Sequence, residues 1–405
     1  MTDTGDEPSI AGWDEFVDAL RVLPAKALAR LPAHLRSDRQ TQQELGRRAL
    51  ASLAYAIIEA VGGDGDYPVF QAGTGQVLNI GQPNADSLYK QARVTPGGTY
   101  RIRGTLGNTR LASIGQLGPF PGEPGGEDLE LPGNMSAYHD LYELTLDADR
   151  NFDVLLSPTR PEGYAGDWWQ LNPGTHKLWL RLVIGDLEAE RDGTIAIERV
   201  DMPAARSRRS ADDLEDRLRR LPRTTTYFTT LLLEHVEELR QKGFVNRMTQ
   251  FDVSGLMGLT GQFYFEGAYD LGDDEALIVE TRVPKGTTYW SVIMTNEIFE
   301  TIDWYNNHSA LNDTQAAIDS DGVLRFVISA KDPGVPNWIA TAGYPTGEFQ
   351  GRWYGAEDPV IPEMRKVSLS ELRAHLPADT PLVTPEQRDA LIRQRRLRLQ
   401  QRILW

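Results

Sequence analysis

The chain has 405 residues, a net charge of −16 at pH 7, 40% hydrophobic residues and no cysteine. That length suffices for two or three domains with a sizeable core. The acidic balance argues against wrapping nucleic acid or coating an anionic membrane, and the missing cysteine removes disulfides, thiolate metal sites and cysteine nucleophiles.

The N-terminal stretch "MTDTGDEPSIAGWDEF" has neither the basic start nor the apolar core of a signal peptide. No run approaches the roughly 18 consecutive apolar residues of a membrane span, so a cytoplasmic location is expected. Residues 1–65 read as a helical segment. A short helix is expected over Trp13–Leu23. A capping box at Thr41–Glu44 opens a second, in which Leu45, Ala49, Leu53, Ile57 and Ala60 recur at helical spacing until Gly62 and Gly63.

Residues 66–205 change texture: short Val/Ile/Thr/Tyr/Leu runs alternate with turn residues, as in "GGTYRIRGTLGNTRLASIG" and "THKLWLRLVIGDLE", the pattern of antiparallel strands. Residues 206–250 return to helices, one ending at Pro222 and one closing at Gly243, with an apolar stripe of Phe228, Leu232, Val236 and Leu239. Residues 251–358 are strand-rich again, and Ser320-Asp321-Gly322 marks a turn. The tail, residues 359–405, ends in a helix opened by Thr384, Pro385 and Gln387. That helix interleaves Arg388, Arg393, Arg395, Arg396, Arg398 and Arg402 with Leu391, Ile392, Leu397, Leu399, Ile403 and Leu404. On an acidic chain it is expected to dock on the body or on a second copy in a homo-oligomer, not on nucleic acid or membrane.

The two strand-rich regions resemble each other. Asp86–Tyr100 laid on Glu275–Tyr289 matches Leu88 with Leu277, Arg93 with Arg282, Val94 with Val283, Gly97 with Gly286, Thr99 with Thr288 and Tyr100 with Tyr289. Farther on, Ser157, Pro161, Trp168 and Arg181 meet Ser329, Pro333, Trp338 and Arg352, with small gaps. The order is kept across both blocks, so a duplication is expected. The fold class is α+β, mainly β: two related antiparallel β-sandwich or jelly-roll-like domains with helical N-terminal, connecting and C-terminal segments.

Residues Tyr289-Trp290-Ser291, Asn307-His308-Ser309, Asp332-Pro333-Gly334, Pro336-Asn337-Trp338, Gly343, Gly347 and Arg352-Trp353 resemble the pattern of the family DUF1214. The resemblance covers roughly a quarter of the chain, from Gly261 to Tyr354. "NADSLYKQARVTPGGTYRIRG" also resembles longer members of that family. The resemblance implies a β-sandwich and little chemistry. Two-domain relatives that pair DUF1214 with DUF1254 are linked to phosphate esters, but the first half of this chain departs from the DUF1254 pattern.

Each candidate site residue has a functional and a structural reading. Arg352 beside Trp338 suits an anionic head on an apolar body, or a plug at the end of a sandwich. His308, among Asn306, Asn307 and Ser309, reads as a general base or as a turn histidine. Asn337, Asn307 and Trp290 are expected near the same ligand. Arg101 and Arg103 share one strand face, which suits an anion or a solvated outer surface. Asn84, Asp86 and Tyr89 can line a pocket mouth or make a turn. His139 beside Asp140 points the other way along a strand. Asp147, Asp149, Asn151 and Asp153 imitate half a calcium loop, but Phe152 stands where glycine is needed and Pro158 where glutamate is, so no metal is expected there. Nucleophile-elbow, P-loop, zinc-protease and dinucleotide motifs are absent from the sequence. The expectation is a cofactor-free lyase, isomerase or hydrolase, with His308 moving a proton and Arg352, Trp338, Asn337, Asn307, Trp290, Arg101, Arg103 and Tyr89 binding a small molecule. The alternative is a non-catalytic ligand-binding or assembly subunit that uses the arginine-rich helix.

Overall fold

The computed structural model describes residues 9–252 and 261–402; Ile403 and Leu404 of the tail lie outside them. The N-terminal segment forms α1 (Trp13–Ala29), α2 (Ala33–Ser37) and α3 (Arg39–Gly62). α1 runs past Leu23 with Pro24 in its interior, because Leu23 and Ala27 on either side of the proline are buried. Thr41 does not start α3. Asp38 is the N-cap, and its carboxylate accepts the Thr41 N–H at 2.7 Å and the Thr41 hydroxyl at 2.8 Å. A charged acceptor three residues upstream outcompetes the threonine hydroxyl.

Pro222 does not end its helix either. α4 (Ala211–Thr230) runs through it, since Leu221 and Phe228 pack with Ala56 and Tyr55 of α3. The chain then breaks at Leu232, which has φ 54°, before α5 (His235–Gln241). The expected single helix closing at Gly243 is therefore two pieces. Of its stripe, Phe228, Val236 and Leu239 are buried, while Leu232 turns aside.

The first sandwich contains β1 (Gln71–Ala72), β2 (Ser87–Arg93), β3 (Tyr100–Thr105), β4 (Leu111–Leu117), β5 (Met135–Asp140), β6 (Asn151–Ser157), β7 (Asp167–Gln170), β8 (Lys177–Val183) and β9 (Thr194–Arg199). The second contains β10 (Thr249–Phe251), β11 (Gln262–Asp270), β12 (Glu275–Thr281), β13 (Tyr289–Thr295), β14 (Ala310–Asn312), β15 (Leu324–Ser329), β16 (Trp338–Ala340), β17 (Thr346–Tyr354) and β18 (Glu363–Ser368). It thus takes in a strand beyond residue 358.

Strand for strand, the two have one topology. The five-stranded sheets run β1-β2-β8-β4-β5 and β10-β11-β17-β13-β14; the four-stranded sheets run β7-β6-β3-β9 and β16-β15-β12-β18. Even the parallel pair recurs, as β6 with β7 and β15 with β16. The duplication holds, but the first sequence match is one strand out of step: it lays β2 on β12, whereas β2 corresponds to β11 and β3 to β12. A strand–turn–strand pattern looks much the same one strand along, yet β2 and β3 lie in opposite sheets, as do β11 and β12. The second match is in step. In each copy the serine ending the strand, Ser157 or Ser329, accepts the indole N–H of Trp168 or Trp338, at 2.9 and 3.0 Å.

Alternation along β8 and β17 divides two environments. Leu178, Leu180 and Leu182 face the first core, and Phe349 and Trp353 the second. Between the last two, Gly351 leaves room for the Phe265 ring, which a Cβ would meet at 2.2 Å. The tail helix α6 (Pro385–Gln400) begins with the capping box of Thr384 and Gln387 that the sequence indicates. It straps both sandwiches: Arg388 pairs with Asp332 at 2.9 Å, and Arg402 with Asp192 at 2.7 Å. Among the described residues no helix is long and apolar enough to cross a membrane.

Candidate functional site

Because Leu and Phe residues of β8 and β17 point into the cores, the intervening residues point out of each sandwich. On β8 these are Lys177, Trp179 and Arg181; on β17 they are Glu348, Gln350 and Arg352. Arg181 lies opposite Tyr89 of β2 and Ser113 of β4. Arg352 lies opposite Tyr264 of β11 and Ser291 of β13. The two trios are equivalent positions of the repeat. In both, the guanidinium lies over the tyrosine ring, at 5.3 Å for Arg181 on Tyr89 and 5.1 Å for Arg352 on Tyr264.

The outward faces of the two five-stranded sheets meet. The Tyr289 hydroxyl donates to Asp86 at 2.9 Å and accepts from the Asn84 amide at 2.9 Å, and Gln350 donates to Gln82. Between the sheets lies a cavity of about 140 Å³ lined by both arginines and both tyrosines, with Phe251, Phe299, Leu231, Leu232 and Tyr227 as an apolar wall. That volume is close to one that admits a benzene-sized body.

Its electrostatics are unusual. Among the described residues neither arginine forms an ion pair, and the Nε of each is buried with no hydrogen-bond partner. Arg352 donates to Gln350 at 2.8 Å. A buried cation without an anion is costly. Burial alone would raise the Tyr89 phenol, but Arg181 and Arg352 together hold it below its ordinary value. Burial opposes the charge on Arg181, and the phenols of Tyr89 and Tyr264 outweigh that effect. The cavity therefore concentrates positive potential around an acidified phenol.

Behind the apolar wall sit three more polar groups. His235 Nε2 lies 2.7 Å from Glu266 Oε2, and its ring packs on Phe251 and Phe299 at 4.9 and 5.0 Å. Glu348 is wholly buried. Burial raises both carboxyls above the usual range, Glu348 further through its neighbour Glu266.

The remaining expected residues are scattered. His308 lies beneath α6, in a cavity wall shared with Arg388 and Arg395, and Trp338 is buried beside it. The His308 Nδ1–H donates to the Trp338 carbonyl at 2.6 Å, and Arg388 approaches its Nε2 at 3.3 Å. The histidine is therefore neutral, drawn down to about 3 by burial and then by Arg388 and Arg395. Arg388 also covers the Trp338 ring at 5.2 Å and holds the Val335 carbonyl at 2.5 Å, so the Asp332–Trp338 loop is clasped by the tail helix. Of the expected set, Arg352 and Tyr89 share the interdomain cavity, and His308 and Trp338 do not line it. Asn337 bonds the Ala317 and Arg325 carbonyls at 2.7 and 2.9 Å. Asn307 donates to the Asp303 carbonyl at 3.0 Å. Trp290 is in the second core. Arg101 and Arg103 pair with Asp153 and Glu198 on the half-exposed outer face of the first sandwich. His139 stacks on Trp169 and contacts Gln116, not Asp140.

Sequence reasoning passed over Arg181, Tyr264, His235, Glu266 and Glu348. Arg181 carried a signal: it is the residue matched to Arg352 in the second block of the repeat.

Residues 269–358 match the model of DUF1214, a protein family of unknown function. Across nearly the whole chain the protein is similar to a solved, uncharacterised protein from Burkholderia cenocepacia: 27% identity, 89% of this chain and 97% of that one covered, TM-score 0.80. It also aligns with a solved protein from Vibrio parahaemolyticus at 14% identity, over 80% of this chain and 99% of that one, with TM-score 0.47. No curated protein matches the chain.

Proposed function

We propose that the protein binds a small molecule with an apolar body and an anionic head in the cavity between its sandwiches, and moves a proton on that molecule with Tyr89. One observation carries this reading: two arginines, one from each repeat, Arg352 buried and Arg181 part-buried, line a single cavity with the Nε of each buried and, among the described residues, no carboxylate partner. An anion between them supplies the missing charge, and bidentate geometry suits a carboxylate or phosphate. The aromatic and leucine wall takes the body. Tyr89, made more acidic by both guanidiniums, is matched to accept a proton from the ligand and return it at another atom, an isomerase or lyase type of chemistry.

A second reading is a non-catalytic binding protein. It is favoured by His308, the expected proton carrier, being locked between Trp338 and Arg388 away from this cavity.

A thermal-shift panel of aromatic and short aliphatic carboxylates, phosphate monoesters and sulfate esters finds the head group. Each stabilising compound is then incubated with the protein in deuterated water and followed by NMR. Deuterium uptake into the ligand that Tyr89→Phe abolishes while binding persists supports catalysis. Binding with no uptake in the wild type supports the second reading.

A further inference from the structure

The groups behind the cavity wall form a compact donor set. His235, Glu266 and Glu348 each bring one ligand-type atom within 4.8 Å of the others. Metal bonds of about 2.0–2.2 Å set ligand atoms up to about 4.4 Å apart, so a small closure suffices. Glu348 is 0% exposed; its Oε2 accepts the Thr295 hydroxyl at 3.3 Å, and its Oε1 is buried with no hydrogen-bond partner among the described residues. The imidazole is held edge-on and tilted by Phe299 and Phe251.

The repeat supplies an independent comparison. Register places Lys177 of β8 where β17 has Glu348, and Gln91 of β2 where β11 has Glu266. In the first sandwich the Lys177 ammonium sits 2.6 Å from Glu123 and 3.7 Å from Glu59, so the chain provides its own cation for the buried carboxylates. In the second, the lysine position is a glutamate. Among the described residues no lysine or arginine pairs with either Glu266 or Glu348, and His235 is the neighbour instead. Two buried carboxylates in contact cannot both stay ionised without a positive charge between them.

We propose that His235, Glu266 and Glu348 hold a divalent cation through imidazole Nε2 and two carboxylates. One nitrogen and two oxygen donors, with no sulfur, select Mn²⁺, Fe²⁺ or Zn²⁺ over soft ions. Phe251 and Phe299, which pack on the His235 ring, also line the anion cavity, so the cation adjoins it. The proposal stands apart from the anion reading, because the ion alone tests it.

Chelator-stripped, full-length protein is titrated with Co²⁺ as a visible-absorption probe and with Zn²⁺ by calorimetry. The expected result is one ion per chain, with d–d bands perturbed by His235→Asn and affinity lowered at least about 100-fold by Glu348→Gln, since outer-shell partners alone change affinity by about 10–100-fold. Glu266→Gln repeats the test should Glu348→Gln fail to fold. Wild-type protein that takes up no stoichiometric ion, with the two glutamates sharing a proton instead, overturns the proposal, as does undiminished binding by the folded variants.

Discussion

The first and second sandwiches share strand order, the parallel strand pair, the serine–tryptophan bond and the arginine over tyrosine, yet they diverge four residues earlier on the strand that carries that arginine. There the first has Lys177 amid Glu59, Glu123 and Arg93, and the second has Glu348 beside Glu266 and His235. The shared features sit where the fold demands them: at the turn after β6 or β15, and on the faces where the sandwiches meet. The divergent position shows that a buried polar row on a sheet can be neutralised from within the chain or left with unspent charge. Unspent charge recurs at the arginine pair, so the interface between the sandwiches is where the molecule departs from the needs of stability alone.

The largest effect should separate the two rows. Lys177→Met strands Glu59 and Glu123 in the interior, with Arg93 alone to balance them, and should cost about 3–5 kcal/mol in denaturant unfolding. Glu348→Gln replaces a buried carboxyl that, among the described residues, no lysine or arginine pairs with, and without added metal should stay within about 1 kcal/mol of wild type. Equal losses would mean the two rows are equivalent after all.

A smaller effect tests the clasp that only the second sandwich has at its tryptophan loop. Folded His308 titrates near 3, below its ordinary 6.5. Between those values the unfolded chain binds a proton that the folded chain does not. Stability from this group is therefore complete above about pH 6.5 and is lost as pH falls toward 3. His308→Gln should flatten the stability profile by about 1.4 kcal/mol per pH unit between about pH 6 and 4. An unchanged slope would show that the imidazole is protonated beneath α6.

Smallest should be the paired substitutions Ser157→Ala and Ser329→Ala. Ser157→Ala orphans the Trp168 indole N–H and should cost about 1–2 kcal/mol. The Trp338 indole also reaches the Ser329 carbonyl at 3.3 Å, so the second copy should lose less, as thermal unfolding would register.

Much of this architecture was legible in the residues. The change from helical to two-residue periodicity located both sandwiches, and the Thr384 capping box located the tail helix. Legibility stopped where the evidence is tertiary. Alternation says that Arg352 and Phe349 face opposite ways, but not that the Arg352 face meets another domain. The Trp338 loop was dense in special residues because it closes a sandwich and is clasped by Arg388, and that density drew His308 and Trp338 into an expected site with Arg352. Glu348 and Glu266 lie in ordinary strand sequence; only the pairing of β11 with β17 brings them together.

Calorimetric titration of phenyl phosphate and phenylacetate into wild type, Arg181→Met, Arg352→Met and the double variant tests the anion site most directly. Each single change should weaken binding of the preferred probe about 10- to 100-fold, the loss of one charge-assisted contact, and the double variant should bind neither probe. Wild-type protein that binds neither probe, or binding untouched by Arg181→Met, would contradict a shared anion site between the two sandwiches.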